Sequence, residues 1–402
     1  MSTVKSTDVK DNFKEYKVIQ KEKTFSTKKE RNSGIELLKI IAIVLIVISH
    51  VVYTLKTVNP YISYNGYVVD LSIATADIWK FILAIFSYFG ALGNSIFFIC
   101  SAWFLVNSKK MSLKKVIHMV LDVWIINMIV FWGLHAIGIQ FQISDTVRTF
   151  FPTTFANNWY ITCYLLFYLI HPFLNRMLEQ LNISEHFALT SFLFMIYFII
   201  PVLPLEEINL FFANELVIFL ATYVIVSFIK TYKNEWTENL KLNKGILFVS
   251  IVSYVVLILS VDYLGLRTNY FLNRLVRWNM NNSLFMFLIA FSSFNMMKKK
   301  KFINRTINYF SSLSLLVYIF HENLAFRRYF RPVIEFSILR RFGIEHAFIC
   351  AVFMAVSLAI LSFIISAIYK IFFTKIVSKL SSIISQNIQT LWKKYERLVI
   401  EE

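Results

Sequence analysis

The sequence predicts an all-α protein that crosses a membrane about ten times, with both termini on the cytoplasmic side. Hydrophobic residues make up 57% of the 402 positions, and a transmembrane helix needs about 20 apolar residues. Only 16% of the residues are charged, and glycine and proline are scarce. This composition excludes disordered, collagen-like and linker-rich chains, and no polar stretch is long enough for a large soluble catalytic domain.

Apolar runs along the chain are long enough, or nearly so, to span a bilayer. The fifth and eighth runs are short, and Pro201 and Pro204 close the fifth. An even number of spans places both chain ends on one side of the membrane. The predicted spans are residues 35–56, 80–106, 116–138, 158–180, 187–204, 208–230, 244–264, 282–297, 307–327 and 346–373.

Polar segments flank this region at both ends. Residues 1–34 are lysine-rich, mixed in sign and without an apolar run, so we expect a disordered basic cytoplasmic leader and no signal peptide. Residues 35–373 form the transmembrane domain. In residues 374–402, apolar side chains recur at helical spacing among Lys, Ser and Gln. This pattern predicts an amphipathic tail helix on the cytoplasmic face of the membrane.

The distribution of basic residues supports this topology. With the N-terminus inside, the cytoplasmic segments carry 28 of the 41 Lys and Arg residues and the outer segments carry 11, in line with the positive-inside rule. The formal charge of +17 is therefore mostly a topology signal. We expect contact with membrane lipid and none with nucleic acid.

Arginine dominates the basic residues of the outer segments. Arg327, Arg328 and Arg331 directly follow the core of the ninth span. Arginines at a membrane surface commonly contact lipid headgroups. The planar guanidinium also matches phosphate and carboxylate groups in a bidentate way, so an anion-binding site is the alternative interpretation.

The first span carries ionisable residues at helical spacing. Lys39 and His50 are eleven residues apart, about three turns, so both lie on one face and about 16 Å apart along the axis. Glu36 falls near this face and can pair with Lys39. We expect His50, His171 and His321 in the middle or outer part of the bilayer. A histidine at that depth is either a hydrogen-bonded core residue or faces a functional cavity.

The cysteines do not indicate a disulfide or a metal site. Cys100, Cys163 and Cys350 are scattered, odd in number and embedded in apolar runs. We interpret them as small core residues and predict no metal site.

Four motifs lie in the first, second, fourth and ninth spans. They are Arg31-x3-Ile35-Glu36-x-Leu38-Lys39-x10-His50, Gly90-Ala-Leu-Gly93-Asn94-Ser-Ile-Phe97-Phe98-Ile-Cys-Ser101, Asn158-Trp159-Tyr160 leading to His171-Pro172-Phe173-Leu174-Asn175, and Ser311-Ser312-Leu-Ser314-Leu-Leu-Val-Tyr318-Ile-Phe-His321. These motifs, and their order, resemble those of the acyltransferase-3 family of integral membrane acyltransferases. The resemblance covers about residue 31 to about residue 373.

The resemblance implies a ten-helix O-acyltransferase in a bacterial plasma membrane. Such an enzyme moves an acetyl group from cytoplasmic acetyl-CoA to a hydroxyl group of a cell-surface polysaccharide or lipid-linked sugar. Acetyl-CoA would then be a co-substrate, and no cofactor would be bound.

The resemblance also implies roles for individual residues. His50 would be the general base or an acyl-carrying nucleophile, since a neutral imidazole suits proton transfer near neutral pH. His321 would be a second acid/base or an orienting group. Glu36 would be a further catalytic residue. Donor binding is assigned to Lys39, Arg31, Lys114, Lys115 and Ser101, and acceptor binding to Trp159, Tyr160, Arg327 and Arg328.

The chain departs from the family pattern in places. Lys39 stands where the family usually has arginine, and lysines including Lys114 and Lys115 occupy the region of a paired-arginine motif. Lysine keeps the charge but not the planar fork, which weakens the assignment of these positions to donor binding. Ala102 replaces a glycine after Ser101.

Transport is the competing class of function. Ten spans with intramembrane histidines, short helices and the buried acids Asp122 and Glu215 also fit a secondary transporter or a polysaccharide exporter. The two acids either neutralise a buried Lys or Arg or line a proton or substrate path. We find no clear internal repeat, which disfavours a repeat-built transporter.

Overall fold

The computed structural model describes residues 31–57, 63–64, 67–68, 85–86, 88–202, 214–268, 283–343 and 346–400. The predicted leader, as far as residue 30, lies outside these residues, and so does Pro204. The outcomes below concern the described part of the chain.

Helices make up nearly all of the described chain, as predicted. A short antiparallel ladder joins β1, Ser63–Tyr64, to β2, Tyr67–Val68. Met195–Ile199 and Ile200–Val202 extend one helix as π-helical and 3₁₀ turns, and Phe326–Phe330 is a second π-helical turn. The α-helices are α1 Ser33–Thr57, α2 Phe89–Leu105, α3 Leu113–Ala136, α4 Ile143–Phe150, α5 Trp159–Gln180, α6 Ile183–Phe194, α7 Glu215–Tyr232, α8 Asn234–Glu238, α9 Leu240–Thr268, α10 Leu284–Lys299, α11 Arg305–Ser311, α12 Ser314–His321, α13 Arg331–Phe342 and α14 Ala347–Ile400.

Seven segments of the described chain are helical, long and apolar enough to cross a membrane. They lie in α1, α3, α5, α6 with its extension, α7, α9 and α14. The remaining predicted spans coincide with shorter helices, namely α2 with 17 residues, α10 with 16 residues, and the pair α11 and α12. The prediction of an all-α, multi-pass membrane protein is therefore confirmed.

The last helix differs from the prediction. α14 runs without a break for 54 residues, so no separate tail helix begins at residue 374. The segment contains neither glycine nor proline, the residues that most often end a helix. At 1.5 Å per residue the helix is about 80 Å long, whereas the hydrocarbon core is about 30 Å thick. Much of α14 must therefore lie outside that core.

The first helix lies at the centre of the bundle. It packs against α2, α10, α11, α12 and α14. The close approach to α2 depends on Gly93, because a Cβ there would lie 2.5 Å from the Ala42 carbonyl oxygen and 2.6 Å from Ile46 Cγ1. Small residues let helices approach closely within a membrane. The helix that carries Lys39 and His50 is thus enclosed by other helices.

Hydrogen bonds identify the two ends of the bundle. Asn32 Nδ2 donates to the Lys298 carbonyl at 2.8 Å, and Lys230 Nζ donates to the Trp103 carbonyl at 2.6 Å. The start of α1 therefore lies with the end of α10, and the end of α7 lies with the end of α2. We name the end of the bundle where these helix termini lie the lysine end, and the opposite end the arginine end. The lysine end carries Arg31, Lys39, Lys230 and Lys298, and the arginine end carries Arg327, Arg328 and Arg331.

Candidate active site

The helix that carries His321 is interrupted inside the bundle. α12 ends at His321, and Glu322 and Asn323 separate it from the helical turns that follow. Asn323 stabilises the interruption, since its side chain accepts the Phe326 N–H at 3.1 Å and donates to Asn127 Oδ1 at 3.0 Å. A broken helix within a membrane protein can present polar groups to the interior because neighbouring residues bind the exposed backbone. Here the interruption places the Glu322 carboxylate inside the bundle.

Two histidines and one glutamate meet at this interruption. His50 Nδ1 lies 3.0 Å from His321 Nε2 and 3.0 Å from Glu322 Oε1. The two imidazole rings stack, with centroids 5.2 Å apart. His321 and Glu322 are buried, whereas 27% of the His50 side chain is exposed. We name these three residues the histidine–glutamate cluster.

The hydrogen bonds assign the protons of this cluster. His321 Nδ1 lies 2.7 Å from the Val317 carbonyl oxygen, which can only accept, so Nδ1 carries the hydrogen and Nε2 carries the lone pair. His50 Nδ1 must then donate, because its neighbours are that lone pair and the Glu322 carboxylate. A neutral His50 therefore carries its basic lone pair on Nε2. A carboxylate that fixes the tautomer of a histidine in this way is a recurrent feature of acid/base sites.

Two arginines balance the buried carboxylate. Arg327 Nη1 lies 2.9 Å from Glu322 Oε2, and Arg331 Nη1 lies 3.1 Å from Glu322 Oε1. Arg331 also approaches the His321 carbonyl at 3.5 Å. A buried carboxylate is costly unless it is paired and hydrogen-bonded. The arginines keep Glu322 ionised and fix its orientation toward His50.

The other predicted arginine binds a different acid. Arg328 Nη1 lies 2.7 Å from Asp145 Oδ1, and the Tyr329 hydroxyl donates to Asp145 Oδ2 at 2.5 Å. Asp145 is buried on α4, while about half of the Arg328 side chain is exposed. This contact ties α4 to the π-helical turn Phe326–Phe330, from which Arg327 reaches Glu322.

The donor atoms of the cluster are of a kind that binds metal. Two imidazoles and one carboxylate can hold Zn²⁺, and the three candidate ligand atoms lie within 4.8 Å of one another. Two guanidinium groups already contact the Glu322 carboxylate and would repel a divalent cation. The electrostatics therefore favour proton transfer over metal binding at this position.

A cavity of about 450 Å³ opens at the lysine end. Its volume falls in the range of small-molecule sites. Two cationic side chains stand at its charged part, and serine hydroxyls and aromatic rings line the rest. The lining residues are Arg31, Lys39, Ile43, Ile46, Phe97, Ser101, Met119, Tyr160, Tyr164, Ser311, Ser312, Ser314, Leu315 and Tyr318.

Short-range contacts order the charged part of the cavity. Glu36 Oε1 lies 2.9 Å from Lys39 Nζ, as the spacing predicts, and Glu36 Oε2 accepts a hydrogen bond from the Ser311 hydroxyl. Lys370 on α14 donates to the Ser312 hydroxyl. Lys370 does not line the cavity, but it is a third cation beside it because Ser312 is a lining residue. The sequence pattern did not single it out because it lies in the last span, far from every motif.

The cavity ends one aromatic ring away from the histidine–glutamate cluster. Tyr318 lines the cavity, and its ring centroid lies 5.7 Å from that of His321 at an angle of 80°. Ile46, another lining residue, precedes His50 by one turn of α1. A molecule that fills the cavity from the lysine end would therefore reach the immediate neighbourhood of the cluster.

The structure groups the predicted donor residues only in part. Arg31, Lys39 and Ser101 line the cavity, whereas Lys114 and Lys115 are exposed at the start of α3 and are not among its lining residues.

The predicted acceptor residues are divided in the same way. Tyr160, expected to bind acceptor at the outer face, lines this cavity instead, because its side chain packs inward at 5.2 Å from the Phe98 ring. Trp159 is half-buried beside it. Arg327 and Arg328 are already bonded to acids.

The cluster contains a different acid from the predicted one. Glu36 is fourteen residues from His50 on α1, about 21 Å along the axis, so it cannot contact that imidazole. Glu322 contacts it instead. An acid directly after His321, inside a predicted span, is the sequence signal that could have found it.

His171 lies apart from the other two histidines, toward the lysine end of the bundle. His171 Nδ1 lies 2.6 Å from the Tyr168 carbonyl, which Pro172 leaves without its helical N–H donor. The Tyr168 hydroxyl accepts the Ser112 N–H at the start of α3, at the lysine end. A residue thirteen positions into a span that starts outside lies beyond the bilayer midplane. His171 is thus a hydrogen-bonded core residue near the lysine end.

One of the two acids inside predicted spans has local partners. Asp122 contacts His118 Nε2 at 3.4 Å and accepts the Tyr369 hydroxyl at 2.9 Å, so neither contact is with the Lys or Arg of the first alternative. Glu215 lies in the first turn of α7. A carboxylate is favourable at that position because of the helix dipole.

Fold and site together define a multi-pass helical membrane protein with a buried acid/base cluster beside a cavity that carries two cationic side chains. Residues 32–371 match the family model of the acyltransferase-3 domain, described as an acyltransferase domain. The chain belongs to the acyltransferase-3 family and is a membrane acyltransferase. No curated protein and no solved structure matches it.

Proposed function

We propose that the protein transfers an acetyl group from cytoplasmic acetyl-CoA to a hydroxyl group of a cell-surface polysaccharide or lipid-linked sugar. Its location would be the bacterial plasma membrane, with the lysine end on the cytoplasmic side. The observation that carries this proposal is the continuity of the two regions. A cavity with Arg31 and Lys39 at one end reaches Tyr318, and Tyr318 contacts His321 of the cluster.

The cavity suits the donor in charge and shape. Arg31, Lys39 and Lys370 would bind the phosphates of acetyl-CoA, since phosphate is recognised by charge-assisted hydrogen bonds. The hydroxyl of Ser101 would bind an amide of the pantetheine arm. Lys39 and His50 are about 16 Å apart along α1, so a donor that contacts both regions must be elongated. The pantetheine arm, which carries its thioester at one tip, meets that requirement.

The cluster supplies the base for the transfer. His50 Nε2 would take the proton of the acceptor hydroxyl while that oxygen attacks the thioester carbonyl. The carbon–sulfur bond breaks, and the CoA sulfur leaves with the proton from His50. Glu322 accepts the His50 Nδ1–H throughout and stabilises the imidazolium, while His321 orients the ring. Arg327 and Arg331 keep Glu322 ionised.

A covalent route uses the same residues. His50 Nε2 would attack the thioester carbonyl, the carbon–sulfur bond would break, and the CoA sulfur would take the proton that His50 Nδ1 gives up through Glu322. The acetyl-imidazole would then pass its acetyl group to the acceptor hydroxyl, whose proton would return to His50 Nδ1 through Glu322. Rapid quenching with labelled acetyl-CoA separates the two routes. Label on the His50 peptide before acceptor is added supports the covalent one.

The acceptor would approach from the arginine end. Trp159 and the half-exposed Arg328 lie on that side, and an aromatic ring beside a cation is a common surface for sugars and their anionic groups. The Tyr160 ring belongs with the donor cavity in this proposal.

The test is transfer of label by the purified full-length protein in lipid nanodiscs. Acetyl-CoA labelled in the acetyl group is supplied with candidate bacterial glycans and lipid-linked sugars, and the products are identified by mass spectrometry. We expect labelled acceptor from the wild type and none from His50→Ala. If the protein releases no CoA with any acceptor but moves a sugar across vesicle membranes without covalent change, the protein is a transporter and the proposal is wrong.

A further inference from the structure

Arg331 lies between two buried carboxyl groups. Its Nη1 is 3.1 Å from Glu322 Oε1, and its Nε is 3.7 Å from Glu335 Oε1. Glu335 follows Arg331 by one turn of α13, and both acids are buried. One guanidinium therefore faces two acids, one of which holds His50.

The two acids are bonded differently. Glu322 is contacted by Arg327, Arg331 and His50. Neither side-chain oxygen of Glu335 has a hydrogen-bond partner among the described residues. Burial raises the pKa of Glu335 to about 8; Arg331 opposes this shift and the Glu322 carboxylate adds to it. Glu335 is therefore mostly protonated at neutral pH.

The charged groups that face Glu335 are few. They are Arg331 on its own helix and Glu322 at the interruption after α12. α14 packs against α13 through an apolar cluster around Leu339, in which Cys350 is the titratable member. Among the described residues, Arg331 is the cation that opposes the raised pKa of Glu335.

We propose that Glu335 is a positioning residue for the histidine–glutamate cluster. As a neutral acid it leaves Arg331 to Glu322, and its ionisation draws Arg331 away from Glu322. The inference rests on the proposed function, because Arg331 affects the reaction only through Glu322 and His50. It deepens that function by naming a proton site that regulates the cluster without touching either substrate.

The geometry makes the displacement small. The distance from Arg331 Nε to Glu335 Oε1 is 3.7 Å, and the distance from Arg331 Nη1 to Glu322 Oε1 is 3.1 Å. The two separations differ by only 0.6 Å. A second negative charge on this buried guanidinium would compete directly with the first, since charges interact strongly where water is excluded. Glu322 would lose one of its two arginines and would hold the His50 Nδ1–H in a less fixed orientation.

The sign of the pH effect follows. At pH 7, below the pKa of about 8, Glu335 is mostly neutral and Arg331 stays on Glu322. One unit above its pKa, an acid is about 90% ionised, so the rate of transfer should fall as the pH rises from 7 to 9.

The first measurement is the pH profile of acetyl transfer for the wild type and Glu335→Gln. Arg341→Gln, an exposed position on the same helix, is the matched control. We expect the ratio of rates at pH 9 and pH 7 to be at least about threefold higher in Glu335→Gln than in the wild type. The control should follow the wild type. Identical profiles in all three proteins would show that Glu335 only fills space.

The second measurement needs no substrate. Diethyl pyrocarbonate modifies the neutral imidazole of His50, and mass spectrometry of the His50 peptide gives the rate at each pH. We expect a change between pH 7 and 9 in the wild type that Glu335→Gln lacks. If transfer is absent but this difference is present, the proposed function fails and the link from Glu335 to His50 stands. If His50 reacts alike in both proteins, the link is wrong.

A variant that fails to fold does not end the test. Glu335→Met is a second non-ionisable variant for the same two measurements. Should both variants aggregate, an infrared titration of the wild type decides. A carboxylic-acid band that disappears between pH 7 and 9 supports the inference, and its absence overturns it.

Discussion

The two ends of the bundle use charge in opposite ways. In the cavity at the lysine end, Arg31 is exposed, and among the described residues Lys39 pairs with one carboxylate, that of Glu36. In the histidine–glutamate cluster, the Glu322 carboxylate is bonded on both oxygens and is buried. A cavity that binds a polyanion must keep cations accessible, whereas a catalytic group must be fixed before the reaction. In the proposed mechanism, the first region binds the donor and the second carries out the chemistry.

This contrast predicts different kinetic effects from substitutions in the two regions. Changes in the cluster should lower the rate with little effect on donor affinity. Changes in the cavity should weaken donor binding with little effect on the rate of the bound complex.

Loss of His50 should have the largest effect. His50→Ala removes the base, and general acid–base catalysis typically contributes about 10²- to 10⁴-fold. We expect the rate of acetyl transfer to fall by at least about a hundredfold, with acetyl-CoA affinity unchanged in a binding titration. His135→Ala, an exposed histidine at the end of α3, should behave like the wild type. A correctly inserted His50→Ala protein with the wild-type rate would remove His50 from the mechanism.

Glu322→Gln should come next and also destabilise the fold. The amide cannot balance Arg327 and Arg331, and breaking one partner of a buried ion pair costs about 3–5 kcal/mol. We expect a rate at least about tenfold lower, together with a lower melting temperature, from activity and thermal-unfolding assays.

Glu36→Gln is the matched change in the other region. Its carboxylate contacts Lys39 and Ser311, so the rate of the bound complex should stay within about threefold of the wild type. If Glu36→Gln lowered the rate as much as Glu322→Gln, the separation of the two regions would be wrong.

Removal of a cavity cation should affect binding. Lys39→Ala or Arg31→Ala removes one charge from the proposed phosphate site, and a charge-assisted hydrogen bond contributes about 1.5–3 kcal/mol. We expect acetyl-CoA affinity to fall about tenfold or more, measured by isothermal titration, with the rate at saturation nearly unchanged. Lys114→Ala and Lys115→Ala should leave affinity within about twofold, since both side chains are exposed. Equal losses of acetyl-CoA affinity in all four variants would indicate that the overall positive charge of this end attracts the donor, without a specific phosphate site.

The smallest effect should come from the contact that places α1 against α2. Gly93→Ala forces a methyl group to 2.5 Å from the Ala42 carbonyl oxygen, and overpacking costs about 1–3 kcal/mol. We expect a lower melting temperature and unchanged donor affinity per folded molecule. Gly133→Ala is the control, because a Cβ there meets nothing within 4 Å. A Gly93→Ala protein as stable as this control would show that the helices can separate at no cost.

Much of this organisation could be predicted from local sequence. Where the structure describes them, the predicted spans overlap helices, because the length of an apolar run and helical periodicity are properties of short segments. The pairing of Lys39 with Glu36 was predictable for the same reason, since residues three apart are neighbours on one helix. The helix predicted in the tail is present as far as residue 400. It continues from the last span without interruption, because a change in polarity does not end a helix that lacks glycine and proline.

Contacts between distant segments could not be predicted in this way. His50 and His321 are 271 residues apart along the chain, and Lys370 reaches Ser312 from another helix. Tyr160 follows the motif tryptophan but points into the donor cavity. Which side chains meet depends on the rotation and depth of each helix, and these are set by packing against its neighbours.

By itself, the sequence determined a bundle of apolar helices, a lysine and a histidine on one face of the first helix, and the likeness to acyltransferases. Each of these depends on residues within a few turns of one another. Only the tertiary structure decided that Glu322 and not Glu36 holds His50, and that a cavity leads from Arg31 to Tyr318. Those features arise where separate helices touch, because a buried charge is stable only where packing brings its partners within hydrogen-bond distance.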